Sequence, residues 1–279
     1  FNEPTHTSPK ELKSILLLSR SDIMTGMVHI VGILNITPDS FSDGGLFLDP
    51  NQAVKQAHKL FSDGATWVDI GAESTKPGAT LVSIDQEWQR LQPVLQQLLK
   101  AYPGKISLDT RHPEIVTRAQ TIGSVVINDV TGMHDPAMIA VAAKSGSPVI
   151  VSHLPGTGTD IQAIHTGTLV NSVDEVRDAL LEKAQQMQAA GISKERIILD
   201  PGIGFGKTME ANWRLLTFAE FVPNYAVMIG ASRKRFLGEH RMQTTPNNLA
   251  AAIAQHYGAQ YVRVHDVAAT VAFLQNLKT

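Results

Sequence analysis

The sequence predicts a (β/α)8 barrel, and three features of the chain lead to that fold class. Eight short apolar runs have the composition of β-strands, a helix-like stretch follows each of them, and each run leads into a polar or charged residue. Strands that alternate with helices form parallel sheets, and eight such units close a TIM barrel. Because the carboxyl ends of barrel strands meet at one face, the polar residues that follow the runs are expected to share a site there.

The eight candidate strands are spread along the chain from Val28 to Val264. In chain order they are 28–34 before Asn35, 67–72 before Glu73, 105–108 before Asp109, 125–127 before Asn128, 149–152 before His153, 196–199 before Asp200, 225–231 before Ser232 and 261–264 before His265.

The stretches between the strands carry start patterns of helices. Proline suits the first helical turn, and it follows a capping residue at Asp49-Pro50, His112-Pro113 and Asp135-Pro136. Ser83 and Gln86 have the spacing of a capping box, and Pro93 is expected to bend or restart the helix that they begin. Further helices are predicted at 172–190, 209–221, 246–257 and 266–277.

Length and composition favour one barrel domain. A chain of 279 residues suits an α/β barrel, so we expect one catalytic domain over 23–279 after a polar extension or linker over 1–22. A net charge of −2 gives no indication of a nucleic-acid or membrane surface. The chain has no cysteine, which excludes disulfides, and no apolar run has the length of a signal or membrane segment. A cytoplasmic protein is therefore expected.

Polar residues at three strand ends predict a binding site for a flat heterocycle. Asp109, Asn128 and Asp200 are expected to face one cleft, although each carboxylate alone could be the N-cap of the next helix. Two carboxylates and an amide would accept hydrogen bonds from ring N–H and amino groups, as in a guanidine-like ring. Lys234 is expected beside them, close to the acceptor atoms of such a ligand.

A second group of residues predicts a phosphate site. Arg263 and His265 alternate along the eighth strand and so point to the same side, and Asn35 ends the neighbouring first strand. A cation, an imidazole and an amide in one place suit a phosphate and its Mg²⁺. A core histidine bonded to a carbonyl is the alternative for His265.

Two glycine-rich loops, 37–45 and 73–79, are predicted to close over the substrate, with ordinary surface loops as the alternative. The segment 200–207 matches neither a P-loop nor a dinucleotide motif, and we expect it to present Phe205 to a ligand. The sequence contains neither an evident nucleophilic triad nor the histidine spacing of a zinc hydrolase.

Taken together, these motifs resemble the dihydropteroate synthase family, the folate-pathway enzymes inhibited by sulfonamides. The similarity follows the chain from Val28 to the C-terminus and rests on the segments 32–45, 69–78, 107–110, 127–129, 200–207, 230–234 and 263–266.

The resemblance implies a transferase that joins 6-hydroxymethyl-7,8-dihydropterin pyrophosphate to p-aminobenzoate and releases pyrophosphate and 7,8-dihydropteroate, with Mg²⁺ as cofactor. The residues that match the family's pterin-binding positions are Asp109, Asn128, Asp200 and Lys234, of which Asp109, Asp200 and Lys234 would be catalytic. Pyrophosphate would be bound by Asn35, Thr75, Arg263 and His265, with Asn35 also binding the metal. The p-aminobenzoate would be bound by Phe41, Thr75, Pro77, Phe205 and Ser232, with Asp39 on the same loop as Phe41.

Two departures from the family pattern and two alternative functions accompany this prediction. Lys76 stands where the family usually has arginine, and Ser152 stands at the first position of a usual Met-His-Met, which predicts a looser pterin site.

The alternatives are a methyltetrahydrofolate-type methyltransferase and a catalytically silent pterin-binding barrel. The resemblance further implies a homodimer, with region 246–277 as the contact, and it leaves open a fusion to the preceding pathway kinase through residues 1–22.

Overall fold

The strands form a closed barrel, which confirms the predicted fold class. The computed structural model describes residues 28–37, 49–73, 81–156 and 169–277. All strand pairs in this part of the chain are parallel, sequence neighbours are barrel neighbours, and β8 pairs with β1 to close the sheet. The strands are β1 (His29–Asn35), β2 (Trp67–Gly71), β3 (Ile106–Asp109), β4 (Val126–Asp129), β5 (Val149–Ser152), β6 (Ile197–Asp200), β7 (Ala226–Ile229) and β8 (Tyr261–Val264).

Helices follow the strands and surround the barrel. They are α1 (Pro50–Ser62), α2 (Ile84–Ala101), α3 (Pro113–Gln120), α4 (Pro136–Ser145), α5 (Val173–Ala189), α6 (Met209–Arg214), α7 (Thr244–His256) and α8 (Val267–Asn276). The predicted capping box is present, because Ser83 accepts from the Gln86 N–H while the Gln86 side chain accepts from the Ser83 N–H. In the described residues, no helix is long and apolar enough to cross a membrane.

Two helices differ from their predictions. Helix α2 continues through Pro93 without restarting, because Leu91, Val94 and the leucines after them are buried against the sheet on both sides of the proline. The helix predicted over 209–221 changes to a 3₁₀ helix at Leu215. Leu215 and Phe218 are both fully buried, and the three-residue repeat of a 3₁₀ helix places them on one face.

The barrel interior is apolar in its lower part and polar at the carboxyl ends of the strands. Side chains of a strand alternate between its two faces, so residues two apart point to the same side. Within the barrel, Val126 and Ile198 belong to a buried apolar cluster that is completed by Val31, Ile150 and Met228. Two residues further along β4 and β6 lie Asn128 and Asp200. The strand register therefore places a layer of polar groups directly above an apolar layer that excludes water.

The predicted domain boundary after residue 22 lies outside the described residues. From Val28 onward, the described chain forms one barrel with one main apolar core between the sheet and the helices. Leu91, Leu95 and Leu98 of α2, which form the predicted apolar face, are all fully buried in that core. Burying one such side chain contributes about 1.5–3 kcal/mol, so this outer core holds the strands in the register that creates the polar layer.

Candidate active site

An arginine at the end of β8 joins the carboxylates of two other strands. Arg263 Nε donates to Asp69 Oδ2 of β2 at 2.6 Å, and Arg263 Nη2 donates to Asp109 Oδ2 of β3 at 2.8 Å. The Arg263 and Asp109 side chains are about one-fifth exposed, at 20% and 19%, whereas Asp69 is fully buried. The arginine therefore spans the barrel mouth, the face where the carboxyl ends of the strands meet.

Asp69 lies beneath this arginine and accepts further hydrogen bonds. Ser107 Oγ donates to Asp69 Oδ1 at 2.5 Å, and Asn128 Nδ2 lies 3.1 Å from both carboxylate oxygens. Asp69 begins the segment 69–78 that carries the family resemblance, but the sequence alone assigns it no role. A carboxylate two residues before the end of an apolar strand run, on the face that points inward, is the feature that could have revealed it.

A second cluster forms where the turn after β6 meets the segment after β7. Gly202 N–H donates to Asp200 Oδ1 at 2.7 Å, which fixes the carboxylate at the start of the turn. The Lys234 ammonium lies 4.0 Å from the centroid of the Phe205 ring, in cation–π contact. Phe205 in turn packs against Leu154. The turn thus brings Phe205 into contact with Lys234, while its presentation to a ligand stays a prediction.

The predicted phosphate residues form different contacts in the structure. Arg263 is turned toward Asp69 and Asp109, whereas His265 Nδ1 lies 3.0 Å from Ser232 Oγ and the His265 N–H donates to the same oxygen at 3.3 Å. Asn35 is exposed at the end of β1, which pairs with β8. Ser232, expected near p-aminobenzoate, therefore contacts a residue expected near pyrophosphate.

Burial and charge change the proton affinities of this layer. Burial raises the pKa of Asp109 to about 7; the negative charge of Asp69 adds to this increase and Arg263 opposes it. Burial also raises the pKa of Asp200, against the Gly202 hydrogen bond and the Lys234 charge. Burial lowers the pKa of Lys234 to about 8, and the neighbouring Arg263 charge acts in the same direction. Shifts of this kind mark groups that are arranged for binding or catalysis.

Lys207 is a buried cation that the sequence prediction did not assign. Its ammonium donates to the His153 carbonyl at 3.2 Å and to the Phe205 carbonyl at 3.0 Å, so it ties the turn after β6 to the end of β5. Burial lowers the pKa of Lys207 to about 7. The glycine-rich segment around it, which suggested only a turn, gives no sequence indication of these contacts.

A cavity of about 390 Å³ lies beside β5 and α5, away from Arg263. Ser152, His153, His134 and Lys183 are among its lining residues. Burial lowers the pKa of His153 to about 3, so this imidazole is neutral. The predicted groups at Asp109, Asp200 and Arg263 do not line this cavity.

The loop residues of the prediction lie outside the described residues. They are Asp39, Phe41, Thr75, Lys76 and Pro77. The described part of the chain contains no cluster of three or more His, Cys, Asp or Glu that could hold a metal ion by itself.

Comparisons with known proteins agree on one family. The chain matches the family described as pterin binding enzyme over residues 31–265. It is 39% identical over 250 residues to the dihydropteroate synthase of Escherichia coli K12, covering 87% of this chain and 88% of that protein. The Xanthomonas albilineans dihydropteroate synthase in complex with 7,8-dihydropteroate superimposes with a TM-score of 0.75 at 34% identity, covering 89% and 92% of the two chains. The Yersinia pestis dihydropteroate synthase with a sulfonamide drug complex gives 0.81 at 34% identity, covering 90% and 93%.

The backbone of the turn after β6 yields a stability prediction. Gly202 has φ +65°, and an added Cβ would lie 2.1 Å from the His153 carbonyl oxygen; Gly191 has φ +96° with nothing within 4 Å. We expect Gly191→Ala to lose about 1–2 kcal/mol from left-handed backbone strain alone. Gly202→Ala should lose clearly more, because the steric overlap forces the turn away from β5. Urea denaturation of both variants tests this, and equal losses would contradict the close approach at Gly202.

Proposed function

Because the chain belongs to the dihydropteroate synthase family of pterin-binding enzymes, we propose that the polar layer at the barrel mouth is where its reaction takes place. The enzyme is a transferase of folate biosynthesis that joins 6-hydroxymethyl-7,8-dihydropterin pyrophosphate to p-aminobenzoate and releases 7,8-dihydropteroate and pyrophosphate. The observation that carries the site assignment is the meeting of buried Asn128 and Asp200 with the partly exposed Asp109 and Lys234 around Arg263 at the carboxyl ends of the strands.

The pterin ring is assigned to these four polar groups. Asp109 and Asp200 accept hydrogen bonds from the ring N–H and amino donors, and the Asn128 carboxamide oxygen adds a third acceptor. Lys234 donates to the ring's acceptor atoms. The donors and acceptors of the layer thus complement a planar ring that carries both kinds of group, and the apolar layer beneath keeps water from competing.

Catalysis here requires charge stabilisation rather than a protein nucleophile. The bond between the pterin methylene carbon and the pyrophosphate oxygen breaks, and its electron pair leaves with pyrophosphate. The amine of p-aminobenzoate forms the new C–N bond with that carbon and afterwards loses one proton. Positive charge spreads over the pterin while the bond breaks, and the Asp109 and Asp200 carboxylates are fixed where they stabilise it.

Pyrophosphate is assigned to Arg263, His265 and Asn35, with Thr75 from the loop after β2. Arg263 spends two of its five N–H donors on Asp69 and Asp109, and its guanidinium stands at the mouth. Mg²⁺ fits this place, because it takes oxygen ligands and commonly shares them between a protein group and substrate phosphates. Asn35 supplies an exposed amide oxygen, and the bound ion would offset the charge of the leaving pyrophosphate.

The p-aminobenzoate site is assigned to Phe205 and Ser232 together with the loop residues Phe41, Thr75 and Pro77. Phe205 lies against Lys234, so an aromatic amine on that ring would lie close to the pterin-binding ammonium. Ser232 is 8% exposed and bonds to His265, which supports a hydroxyl close to the residues assigned to pyrophosphate. The synthases among the matched relatives favour this reaction over the methyltransferase alternative.

Assembly and location complete the proposal. We propose a homodimer through region 246–277, in which α7 and α8 form one unit because Asn248 Nδ2 donates to the Ala269 carbonyl and Thr270 Oγ1 donates to Asn248 Oδ1. Without cysteines, the chain suits the reducing cytoplasm. A role of residues 1–22 as an extension or as a linker to the preceding pathway kinase stays a prediction.

Pyrophosphate release tests the reaction and the site together. The wild-type enzyme with Mg²⁺ and the dihydropterin pyrophosphate should release pyrophosphate only when p-aminobenzoate is added. Lys234→Ala should lower the rate about 100-fold or more, because a preorganised charged donor is removed from the site. Lys59→Ala is the control, since Lys59 is an exposed lysine of α1. Ligand binding without release in the wild type would instead favour the silent barrel.

The pKa values of Asp109 and Lys234 predict a narrow pH range for pterin binding. A carboxyl group with a raised pKa of about 7 is mainly ionised only above that pH, and an ammonium with a lowered pKa of about 8 is mainly charged only below it. The affinity for 6-hydroxymethylpterin, which has no titrating phosphate, should therefore be greatest between about pH 7 and 8. Calorimetric titration across pH 5–10 would measure this affinity. That range extends about two pH units below the pKa of Asp109 and about two above that of Lys234.

The variant Lys234→Met separates the two limbs of this pH dependence. The alkaline limb should disappear while the acid limb stays, because only the ammonium has been removed. An alkaline limb that persists in Lys234→Met would assign the titration to another group, such as Lys207, and would contradict the role of Lys234.

Ser152 should leave the pterin site looser than in relatives with methionine there. Ser152 is 5% exposed and is the register partner of Asp200 in the neighbouring strand. Ser152→Met should tighten the binding of a pterin analogue severalfold, because each buried methylene contributes about 0.8 kcal/mol. Ser152→Ala is the matched control and should bind as the wild type does. A titration that shows no gain for Ser152→Met would refute the idea.

A further inference from the structure

Asp69 is the most completely bonded side chain of the polar layer. It is fully buried in the middle of β2, and its two oxygens accept from Ser107 Oγ, Asn128 Nδ2 and Arg263 Nε. The reaction assigned above uses Asn128 and Arg263 but has no step for Asp69. A buried carboxylate that joins two binding residues of different strands therefore calls for its own explanation.

The contact with Arg263 sets the direction of the guanidinium. Asp69 holds the Nε edge at 2.6 Å, and Asp109 holds Nη2 at 2.8 Å, so the planar group is fixed at two points on neighbouring edges. A guanidinium held by one carboxylate alone could rotate about its last torsions. With both, the remaining N–H groups have one orientation, which is the preorganisation that an anion site needs.

The contact with Asn128 sets the polarity of the carboxamide. An ionised carboxylate only accepts hydrogen bonds, so the amide must turn its nitrogen toward Asp69 and its oxygen away. Asn128 Nδ2 lies 3.1 Å from both oxygens of Asp69, in agreement with this orientation. The ligand group that meets Asn128 must then be a donor. An amide without this neighbour could flip and offer a donor instead, which would remove the discrimination.

We propose that Asp69 is a positioning residue that fixes the Arg263 guanidinium and the Asn128 carboxamide in their substrate-binding orientations without touching the substrate. This inference rests on the assignment of Arg263 and Asn128 to the pterin pyrophosphate site. A merely structural carboxylate would hold β2, β3 and β4 together and would affect stability alone. Asp69 instead acts on two side chains that differ in charge and share one ligand.

Steady-state kinetics of Asp69→Asn separates the two roles. The new amide keeps the size of the side chain but turns donors toward the Asn128 nitrogen and offers Arg263 no charge. We expect the KM for the pterin pyrophosphate to rise about tenfold or more, because buried donors lose their acceptor. The KM for p-aminobenzoate should stay within about twofold, since the described residues assigned to it, Phe205 and Ser232, pair with Lys234 and His265 rather than with Asp69.

Glu87→Gln is the matched control. Glu87 is likewise a buried carboxylate, 1% exposed, and its Oε2 lies 2.6 Å from His112 Nδ1 outside the polar layer. The Glu87 charge also raises the pKa of Asp109, so the comparison is made above that pKa, where Asp109 is ionised in both enzymes; the variant should then lose thermal stability while both KM values stay as in the wild type. If Asp69→Asn behaves in the same way, with a loss of stability and an unchanged KM for the pterin substrate, the positioning role is wrong.

Asp69→Glu covers the case in which Asp69→Asn does not fold. It keeps the charge but moves the carboxylate by one methylene, so the fold is retained while Arg263 and Asn128 are displaced, and the pterin KM should again rise. A wild-type KM in a folded Asp69→Glu enzyme would overturn the proposal.

A second comparison separates failure of this inference from failure of the site assignment. Asp109→Asn and Lys234→Ala are measured under the same conditions. If both keep wild-type kinetics while the wild type is active, the site assignment is wrong. If both lose activity and Asp69→Asn keeps its pterin KM, only the positioning role of Asp69 is wrong.

Discussion

The site depends on one interaction, the arginine of β8 held between the carboxylates of β2 and β3. Arg263 has lost most of its hydration, and the charges of Asp69 and Asp109 outweigh the effect of burial and raise its pKa. Removing charges from water costs so much that a buried ion pair rarely adds stability over apolar residues of the same volume. We infer that the arrangement is retained because it fixes the directions of groups that bind the substrate.

The rest of the barrel offsets the free-energy cost of burying these charged groups. Inward positions two residues apart along a strand change from apolar to polar, as from Val126 to Asn128 and from Ile198 to Asp200. The apolar layer below excludes water, which strengthens each electrostatic contact above it. The helices outside supply the apolar burial that offsets the desolvated charges, with Leu91, Leu95 and Leu98 of α2 as an example.

The sequence was sufficient for the barrel and for the residues at its strand ends, because both follow from the period of a strand and the alternation of strands with helices. The sequence did not predict which residues the long charged side chains would bind. The contacts of the Arg263 guanidinium with Asp69 and Asp109 could not be predicted, since the depth and reach of a long side chain depend on the closed barrel. Asp69 received no role because it lies within the apolar run rather than at its end.

The raised pKa of Asp109 links this geometry to the chemistry. The same burial and the same neighbouring Asp69 that disfavour the ionised form of Asp109 make its carboxylate respond strongly to a positive charge. In the proposed assignment, the ionised Asp109 carboxylate gains more than it would in water from the positive charge that departing pyrophosphate leaves on the pterin. The interaction is therefore stronger in the transition state than with the bound substrate, which is the condition for accelerating a reaction without a nucleophile.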